Sequence, residues 1–138
     1  MATVKDFTWQ QGMTVKELVS KYGQVGFQSV ELQKAADVIV KMKKDNAKIF
    51  LTFTSNMVTS GLRGFFAQLI RLGIPDVIVT TVGGLEEDIM KAKGEEFGIG
   101  TFASDDVELH EQGVNRVGNL QVKNESYMRY EDALLPLL

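Results

Sequence analysis

The chain has 138 residues, the size of one domain, and its 44% hydrophobic and 24% charged residues are typical of a globular protein. The absence of cysteine excludes a disulfide framework, a thiolate zinc site and a cysteine nucleophile, and a single histidine excludes a multi-histidine metal site and argues against a serine–histidine triad. A net charge of −3 argues against non-specific nucleic-acid binding, and no apolar run approaches the roughly 18 residues of a membrane helix. Because residues 1–6 are not an apolar run, we expect no secretory signal, and we expect a cytoplasmic protein with a single domain over residues 1–138.

Two helices are predicted in the first third of the chain. Thr14, followed three residues later by Glu17, has the pattern of a capping box and predicts a helix that Gly23 closes. Ser29 is expected to cap a second helix, because apolar residues follow it at helical spacing: Leu32, Ala35, Ala36, Ile39 and Val40.

Strands and helices alternate in the middle of the chain. Residues 49–53 and 76–82 are short apolar runs rich in β-favouring residues, and each predicts a buried strand. A helix over residues 62–70 is expected between them, and another is expected to begin at Leu85 after a Gly-Gly turn at residues 83–84. The segment that connects the two strands is long enough for them to pair in parallel. The sequence therefore predicts an α/β fold of parallel strands with flanking helices.

The last third is rich in glycine and polar residues. We expect a loop over residues 94–104 with a short strand at 99–102, a short helix at 107–112 and an edge strand at 119–122. A final helix is predicted over residues 125–135.

Two side chains of this last third are interpreted as structural. His110 lies on the short amphipathic helix and is expected at the surface. Residues 115–119 have the composition of a turn, within which Arg116 is expected to pair with an acid.

The first candidate site follows the first strand. In open parallel sheets, ligands bind outside the carboxyl ends of the strands, close to helix N-termini. Residues 54–61 read Thr-Ser-Asn-Met-Val-Thr-Ser-Gly, and five of the eight carry short hydroxyl or amide groups that can bind a phosphate or a ribose. The alternative is that Ser55 or Asn56 simply caps the next helix, and both interpretations stay open.

The second candidate site follows the second strand. Residues 80–88 read Thr-Thr-Val-Gly-Gly-Leu-Glu-Glu-Asp, in which the two glycines would let a ligand approach the backbone closely. Three acids at a helix start either complement the helix dipole or form a site for a cation, such as a polyamine, or for a ribose diol. The pattern is neither a dinucleotide fingerprint nor a P-loop, so these rules leave the ligand open.

Together, these segments and several others are similar in sequence and order to the N-terminal half of the deoxyhypusine synthase family. No single motif is specific, but the set is. The segments that carry the resemblance are residues 13–22, Gly26-Phe27-Gln28, residues 50–61, residues 79–88, residues 113–119, Asn124-Glu125-x-Tyr127 and Tyr130-Glu131-Asp132.

The resemblance implies a partial Rossmann-like fold, half of the family's domain, in an oligomer with active sites between paired subunits. Members of the family use NAD to oxidise spermidine and pass its aminobutyl group, through an imine on an enzyme lysine, to a lysine of a translation factor. No metal is expected. The resemblance carries over NAD contacts at Ser55, Asn56, Thr59, Thr81, Val82, Gly83 and Glu87. It also carries over spermidine contacts at Glu86 and Glu87, since buried ammonium groups need paired charges.

The sequence departs from the family at a few positions and in length. Thr59 stands where serine is usual and keeps the hydroxyl, and Val82 stands where a smaller residue is usual. The family chain is more than twice as long, and its imine-forming lysine lies in the half that has no counterpart here. Lys91, Lys93 and Lys123 do not stand in that lysine's motif, so we expect no catalytic residue in this chain.

We therefore interpret the chain as the N-terminal half of a deoxyhypusine synthase, inactive without a C-terminal half on a separate chain or on a homologous subunit. Spermidine and the hypusine-type translation factor are the expected substrates, and neither nucleic acid nor a membrane is an expected partner. Two alternatives stay open: a relative that makes homospermidine or otherwise modifies polyamines, and a non-catalytic regulatory subunit. Because both strands and residues 134–138 are strongly apolar, we also expect surface that packs onto a partner chain, the alternative being a last helix that docks on the chain's own core.

Overall fold

The computed structural model describes residues 3–137, in a chain that divides into two compact units, residues 1–49 and residues 50–138. The first unit contains helices α1 (Val15–Tyr22) and α2 (Gln28–Lys44). That the whole chain forms a single domain stays a prediction.

The capping box at the start of α1 is confirmed. The Thr14 N–H donates to Glu17 Oε2 at 2.8 Å, and the Glu17 N–H donates to Thr14 Oγ1 at 3.3 Å. Two amides that the helix itself cannot satisfy are thereby paired. Glycine at position 23 follows the last residue of α1, as predicted.

The predicted cap of α2 is wrong. Phe27 occupies the N-cap position without a side-chain hydrogen bond, and its φ of 60° turns the chain so that the helix begins at Gln28. Ser29 therefore lies inside the first turn, whereas a capping side chain must stand on the non-helical residue before it.

Two parallel strands begin the second unit. Strand β1 (Phe50–Phe53) pairs with β2 (Val77–Thr80), and the helical connection between them confirms the predicted crossover. The connection consists of α3 (Ser55–Met57), a π turn (Val58–Leu62) and α4 (Arg63–Arg71), and helix α5 (Val82–Ala92) follows β2.

Within residues 50–137, helices cover only one face of this parallel sheet. Leu51, Phe53 and Ile78 are half-buried, and the Phe53 ring stacks on Phe66 of α4 with centroids 3.8 Å apart. On the opposite face, Phe50 is 65% exposed and Val79 is 52% exposed. The predicted strands are therefore buried on one face only, because no helix within residues 50–137 packs against the other.

A second, antiparallel sheet was not anticipated from the sequence. Its strand order is β3-β5-β4. Helix α7 (Asn124–Leu134) follows it and confirms the helix predicted over residues 125–135, with each bound one residue earlier. The strands are β3 (Gly98–Ile99), β4 (Val114–Val117) and β5 (Leu120–Lys123), and helix α6 (Asp106–Glu111) precedes β4.

Two predictions in this region are wrong. Residues 115–119 were expected to be a turn, but most of them form β4, and the turn itself is confined to Gly118 and Asn119. The φ of 63° at Gly118 permits that tight connection. As a result, β5 is the central strand and not an edge strand, and its Val122 is buried.

The well-buried apolar side chains of the described residues belong to the second unit. They lie on the π turn, α4, α5 and β5: Val58, Phe66, Met90 and Val122. Helix α5 contributes the most deeply buried of them, Met90, so α5 organises this small core beside the parallel sheet.

Candidate site at the strand ends

The two candidate segments meet at one edge of the parallel sheet. Because β1 and β2 run parallel, the residues that follow them lie at the same edge. The Ser55 N–H donates to Thr81 Oγ1 at 3.1 Å and joins the two segments directly. We call residues 54–56 and 81–83 the strand-end site.

Five residues predicted to contact NAD lie in the strand-end site. Ser55 and Gly83 are half-buried, and the other three, Asn56, Thr81 and Val82, are exposed. The Val82 side chain is 79% exposed, so it projects away from the protein and does not fill the site.

The two glycines serve helix packing. A Cβ atom on Gly84 would lie 2.5 Å from Thr80 Oγ1, and a Cβ atom on Gly83 would lie 3.0 Å from Ser55 Cβ. The missing side chains let α5 approach the end of β2 and the start of α3. The expected Gly-Gly turn is therefore wrong, since both glycines lie within the first turn of α5, and the close approach that they allow is to Ser55 and Thr80 of this chain.

The acids also lie further along α5 than predicted. The helix begins at Val82, so Glu86 and Glu87 occupy its second turn, and no acid lies in the first turn. Their charges are therefore displaced from the terminal amides that a helix dipole presents.

The chemistry of the strand-end site is that of hydrogen-bond donors. Thr81 stands at the N-cap of α5, but its hydroxyl accepts from Ser55 and does not cap the helix, so the amides of Val82 and Gly83 have no side-chain cap. Amides at a helix start favour anions, and hydroxyl groups suit a ribose. This donor set fits a dinucleotide.

The simple capping interpretation of residues 54–56 is wrong. Helix α3 begins at Ser55, with Thr54 at the N-cap position and no side-chain capping bond. The Thr54 hydroxyl instead contacts Asn56 Oδ1. The Thr54 and Asn56 side chains therefore bond to each other, and the first amide of α3, that of Ser55, is paired by the Thr81 hydroxyl instead.

Two further predicted contacts are buried behind the strand-end site. Thr59 is 3% exposed and Glu87 is 7% exposed, and the Thr59 hydroxyl is hydrogen-bonded to Glu87 Oε2. The same hydroxyl lies 3.2 Å from the Ser55 carbonyl oxygen. Burial raises the pKa of Glu87, while the Thr59 hydrogen bond and the Lys91 charge oppose that shift.

Lys91 lies beside this buried pair, one helical turn after Glu87. Its ammonium group donates to the carbonyl oxygens of Val58 at 2.7 Å and of Thr59 at 2.9 Å, and it lies 4.8 Å from the centre of the Phe97 ring. Burial lowers the pKa of Lys91, and the Glu87 carboxyl partly restores it.

Glu86 faces a different direction from Glu87, as neighbours in a helix do. It borders a cavity of about 270 Å³ between α5 and α7, whose other lining residues are Tyr127, Tyr130, Glu131, Leu134 and Leu135. Burial raises the pKa of Tyr127, and the nearby Glu86 and Glu87 charges add to that shift. The structure therefore does not present the two predicted spermidine carboxylates side by side.

The sequence reasoning missed Lys91 and Tyr127 as neighbours of the predicted site. The four-residue spacing between Glu87 and Lys91 was a usable signal, because it places both side chains on one face of a helix. No local pattern could have joined Tyr127 to Glu86, since that contact depends on how α7 packs against α5.

The structural interpretation of Arg116 is confirmed. Its guanidinium group binds the Asp106 carboxylate through two hydrogen bonds of 2.7 and 2.8 Å and donates to the Gly118 carbonyl at 2.8 Å. The two bonds to Asp106 hold the start of α6 against β4. His110 is exposed, as expected.

Other features lie apart from the strand-end site. A cleft of about 660 Å³ lies beside β5 and α7, where Arg129 pairs with Glu95 and lowers the pKa of Glu95 to about 2. Within residues 3–137, no group of three or more His, Asp or Glu side chains could hold a metal ion. Over the same residues, no helix has the length and apolarity to cross a membrane.

The mixed α/β fold, with donors at the ends of parallel strands, defines a class of proteins that place ligands at this edge of a sheet. Comparison with known proteins identifies the family within that class. The sequence model of the deoxyhypusine synthase family matches residues 17–138, and the chain belongs to this family.

Individual relatives agree with the family match. A probable deoxyhypusine synthase of Schizosaccharomyces pombe is 43% identical over 92% of this chain and 39% of its own length, and one of Pyrococcus furiosus is 41% identical over 89% and 38%. A deoxyhypusine synthase regulatory subunit of Trypanosoma brucei brucei is 38% identical over 93% and 38%. The chain therefore spans about two fifths of the length of these relatives.

The crystal structure of a candidate deoxyhypusine synthase from Entamoeba histolytica is also similar. It is 37% identical in sequence, with a TM-score of 0.50, and the similarity covers 66% of this chain and 38% of that one. It supports the mixed α/β fold with a parallel sheet.

Proposed function

We propose that this chain is the N-terminal part of a deoxyhypusine synthase and supplies part of its NAD and spermidine sites. The observation that carries the proposal is the hydrogen bond from the Ser55 amide to the Thr81 hydroxyl, which brings two motifs of the family together at the strand ends. The remaining part, including the imine-forming lysine, would come from a C-terminal half on the same or a second polypeptide. A Rossmann-like arrangement of the completed sheet, an oligomeric enzyme and a cytoplasmic location stay predictions.

The NAD part of the proposal rests on the donors of the strand-end site. Ser55, Asn56 and Thr81 would bind the cofactor through their side chains, and the first-turn amides of Val82 and Gly83 would bind it through the backbone. NAD, when bound, would supply the acceptor for a hydride from spermidine. Thr59 and Glu87 are buried next to these residues and would hold them in place. Their own direct contact with NAD requires the completed site to open the hydrogen bond between them.

The spermidine part of the proposal rests on Glu86. Its half-buried carboxylate borders the cavity next to Tyr127, where an ammonium group would gain a charged partner and an aromatic neighbour. Glu87 is nearly enclosed, so its direct contact with spermidine also requires a change at Thr59.

A regulatory subunit is the second candidate function. The observation in its favour is that a protein named as a regulatory subunit is nearly as similar to this chain as the probable synthases are. In that case the chain would stabilise a catalytic partner without binding substrate itself.

A reconstitution experiment separates the two functions. The chain is combined with the part of the fission yeast relative that lies beyond the matched region, and spermidine-dependent formation of NADH is measured. If the chain supplies the site, Glu86→Gln raises the KM for spermidine about tenfold or more, a loss of ~1.4 kcal/mol. Glu87→Gln is expected to raise this KM or to reduce turnover to a similar extent.

The matched control is Glu96→Gln, since Glu96 is an exposed acid outside the site. If the mixture is active but neither Glu86→Gln nor Asn56→Ala changes its kinetics, the chain is a regulatory subunit. If the mixture is inactive although both parts are folded and associated, the proposed enzymatic function is wrong.

A further inference from the structure

The segment that carries the strand-end site is attached to α5 at two separate points. The first point is at the start of α5, where Gly83 packs against Ser55. The second is about two turns later, where Lys91 donates to the carbonyl oxygens of Val58 and Thr59. Residues 55–59 therefore lie along α5 and are fixed at both ends.

Hydrogen bonds continue from the second point back to the strand-end site. The Thr59 hydroxyl lies 3.2 Å from the Ser55 carbonyl, and the Ser55 N–H donates to the Thr81 hydroxyl. A displacement of the backbone at Thr59 would move Ser55, and a displacement of Ser55 would release Thr81. Lys91 thus acts on the site through the backbone that it holds.

The position of the ammonium group is itself determined by its surroundings. Lys91 is half-buried, its charge faces the Glu87 carboxyl, and the Phe97 ring covers it. The attached carbonyls belong to a π turn that contains Gly61 with a φ of 98°, an irregular backbone that a regular helical ladder does not fix. A side chain with several donors is therefore suited to holding this turn.

We propose that Lys91 is a positioning residue of the strand-end site: by binding the Val58 and Thr59 carbonyls, it sets the position of Ser55 relative to Thr81. The proposal rests on the proposed function only for the statement that this position serves NAD. The carbonyls that Lys91 binds lie outside residues 54–56 and 81–83, so its effect is on the geometry of the site.

Hydrogen exchange of the chain itself tests the proposal without reference to any ligand. Lys91→Met keeps the apolar stem and removes the donors, whereas Lys91→Arg keeps donors at the same place. The control is Lys93→Met, because Lys93 is exposed on the same helix end. We expect Lys91→Met to accelerate exchange of the Ser55 amide by about tenfold or more while amides of β4 and β5 keep their rates.

The outcomes distinguish positioning from general stability. Restoration of slow exchange by Lys91→Arg, with no change in Lys93→Met, supports the proposal. Uniform acceleration over residues 50–137 would show that Lys91 only stabilises the unit, and unchanged exchange at Ser55 would show that it does not hold the site; either result overturns the proposal.

A second readout connects the proposal to NAD. In the reconstituted complex, Lys91→Met should raise the Kd for NAD by about tenfold, and Lys91→Arg should keep most of the wild-type affinity. If the wild-type complex binds no NAD while exchange at Ser55 still responds to Lys91→Met, the proposed function fails and the positioning role stands. If the wild-type complex binds NAD and neither readout responds, the positioning role fails and the proposed function stands.

Discussion

At the scale of single residues, the contact between Thr59 and Glu87 determines how the acid acts. The Thr59 hydroxyl has one proton but lies close to two acceptors, the Ser55 carbonyl and Glu87 Oε2. If the hydroxyl donates to the carbonyl, the Glu87 carboxyl must donate to the hydroxyl, which requires it to be protonated. If the hydroxyl instead donates to the carboxylate, it opposes the rise in the pKa of Glu87 that burial causes.

The first prediction concerns Glu87→Gln, whose neutral amide can donate to Thr59 at any pH. A pKa raised in the folded state gives stability that is fully present below the ordinary value of 4.5 and is lost as the pH rises through the folded-state pKa. We therefore expect the free energy of unfolding of Glu87→Gln, relative to the wild type, to increase from pH 3 to pH 7. Urea unfolding at low protein concentration measures it.

Glu95→Gln is the control, because the pKa of Glu95 in the wild type is lowered, whereas that of Glu87 is raised. Hydrogen bonds from Arg129 lower the pKa of Glu95 to about 2, so its stabilising contribution is present above 4.5 and is lost as the pH falls toward 2. The relative stability of Glu95→Gln should accordingly decrease from pH 3 to pH 7. Parallel pH trends for the two variants would contradict the assigned environments.

At the scale of elements, the start of α5 depends on residues without side chains. Gly84→Ala places a Cβ atom 2.5 Å from Thr80 Oγ1, so we expect a loss of ~1–3 kcal/mol in the free energy of unfolding. Gly64→Ala is the matched control, because it lies near the start of α4 and nothing lies within 4 Å of its Cβ position. It should stabilise the chain by ~0.5–1 kcal/mol. Equal effects of the two substitutions, measured by urea unfolding, would refute the packing role of Gly84.

The helix starts of the first unit give a third prediction. Thr14→Ala removes a capping side chain and should cost ~1 kcal/mol, whereas Ser29→Ala removes a hydroxyl that caps nothing and should change stability by less than ~0.5 kcal/mol. Circular dichroism during urea unfolding can compare the two variants. A larger effect at Ser29 would mean that α2 begins differently.

The elements also show what a sequence can predict. The capping box at Thr14 and the parallel crossover depend on local patterns, and both were predicted correctly. The burial of Glu87 and the position of β5 between two other strands depend on contacts distant in sequence, and both were missed. At the strand-end site, the sequence placed the two segments together correctly, but it could not show that Gly83 and Gly84 pack against Ser55 and Thr80 of the same chain.

At the scale of the whole molecule, the parallel sheet has one face that no helix of residues 50–137 covers. Phe50 and Val79 are exposed there, although parallel strands are normally covered on both faces. Without a partner, we expect the chain to self-associate or to bind a hydrophobic dye.

Val79→Lys should reduce dye binding and weaken association with the C-terminal half, whereas Val107→Lys, at an exposed position of α6, should do neither. If sedimentation shows a monodisperse monomer and that monomer binds no hydrophobic dye, the reason for a partner at this face is removed.

The central claim is that this chain holds part of an NAD site that a C-terminal half completes, and calorimetric titration with NAD tests it most directly. The chain alone should bind NAD with a Kd in the high-micromolar range or weaker, which is a binding free energy of about −5 kcal/mol or weaker. The reason is that a half-site open to water gains little from each hydrogen bond. The mixture with the C-terminal half should bind more tightly than either component, and Asn56→Ala should weaken that binding. Sub-micromolar binding by the chain alone, or binding by the mixture that Asn56→Ala leaves unchanged, would contradict the account.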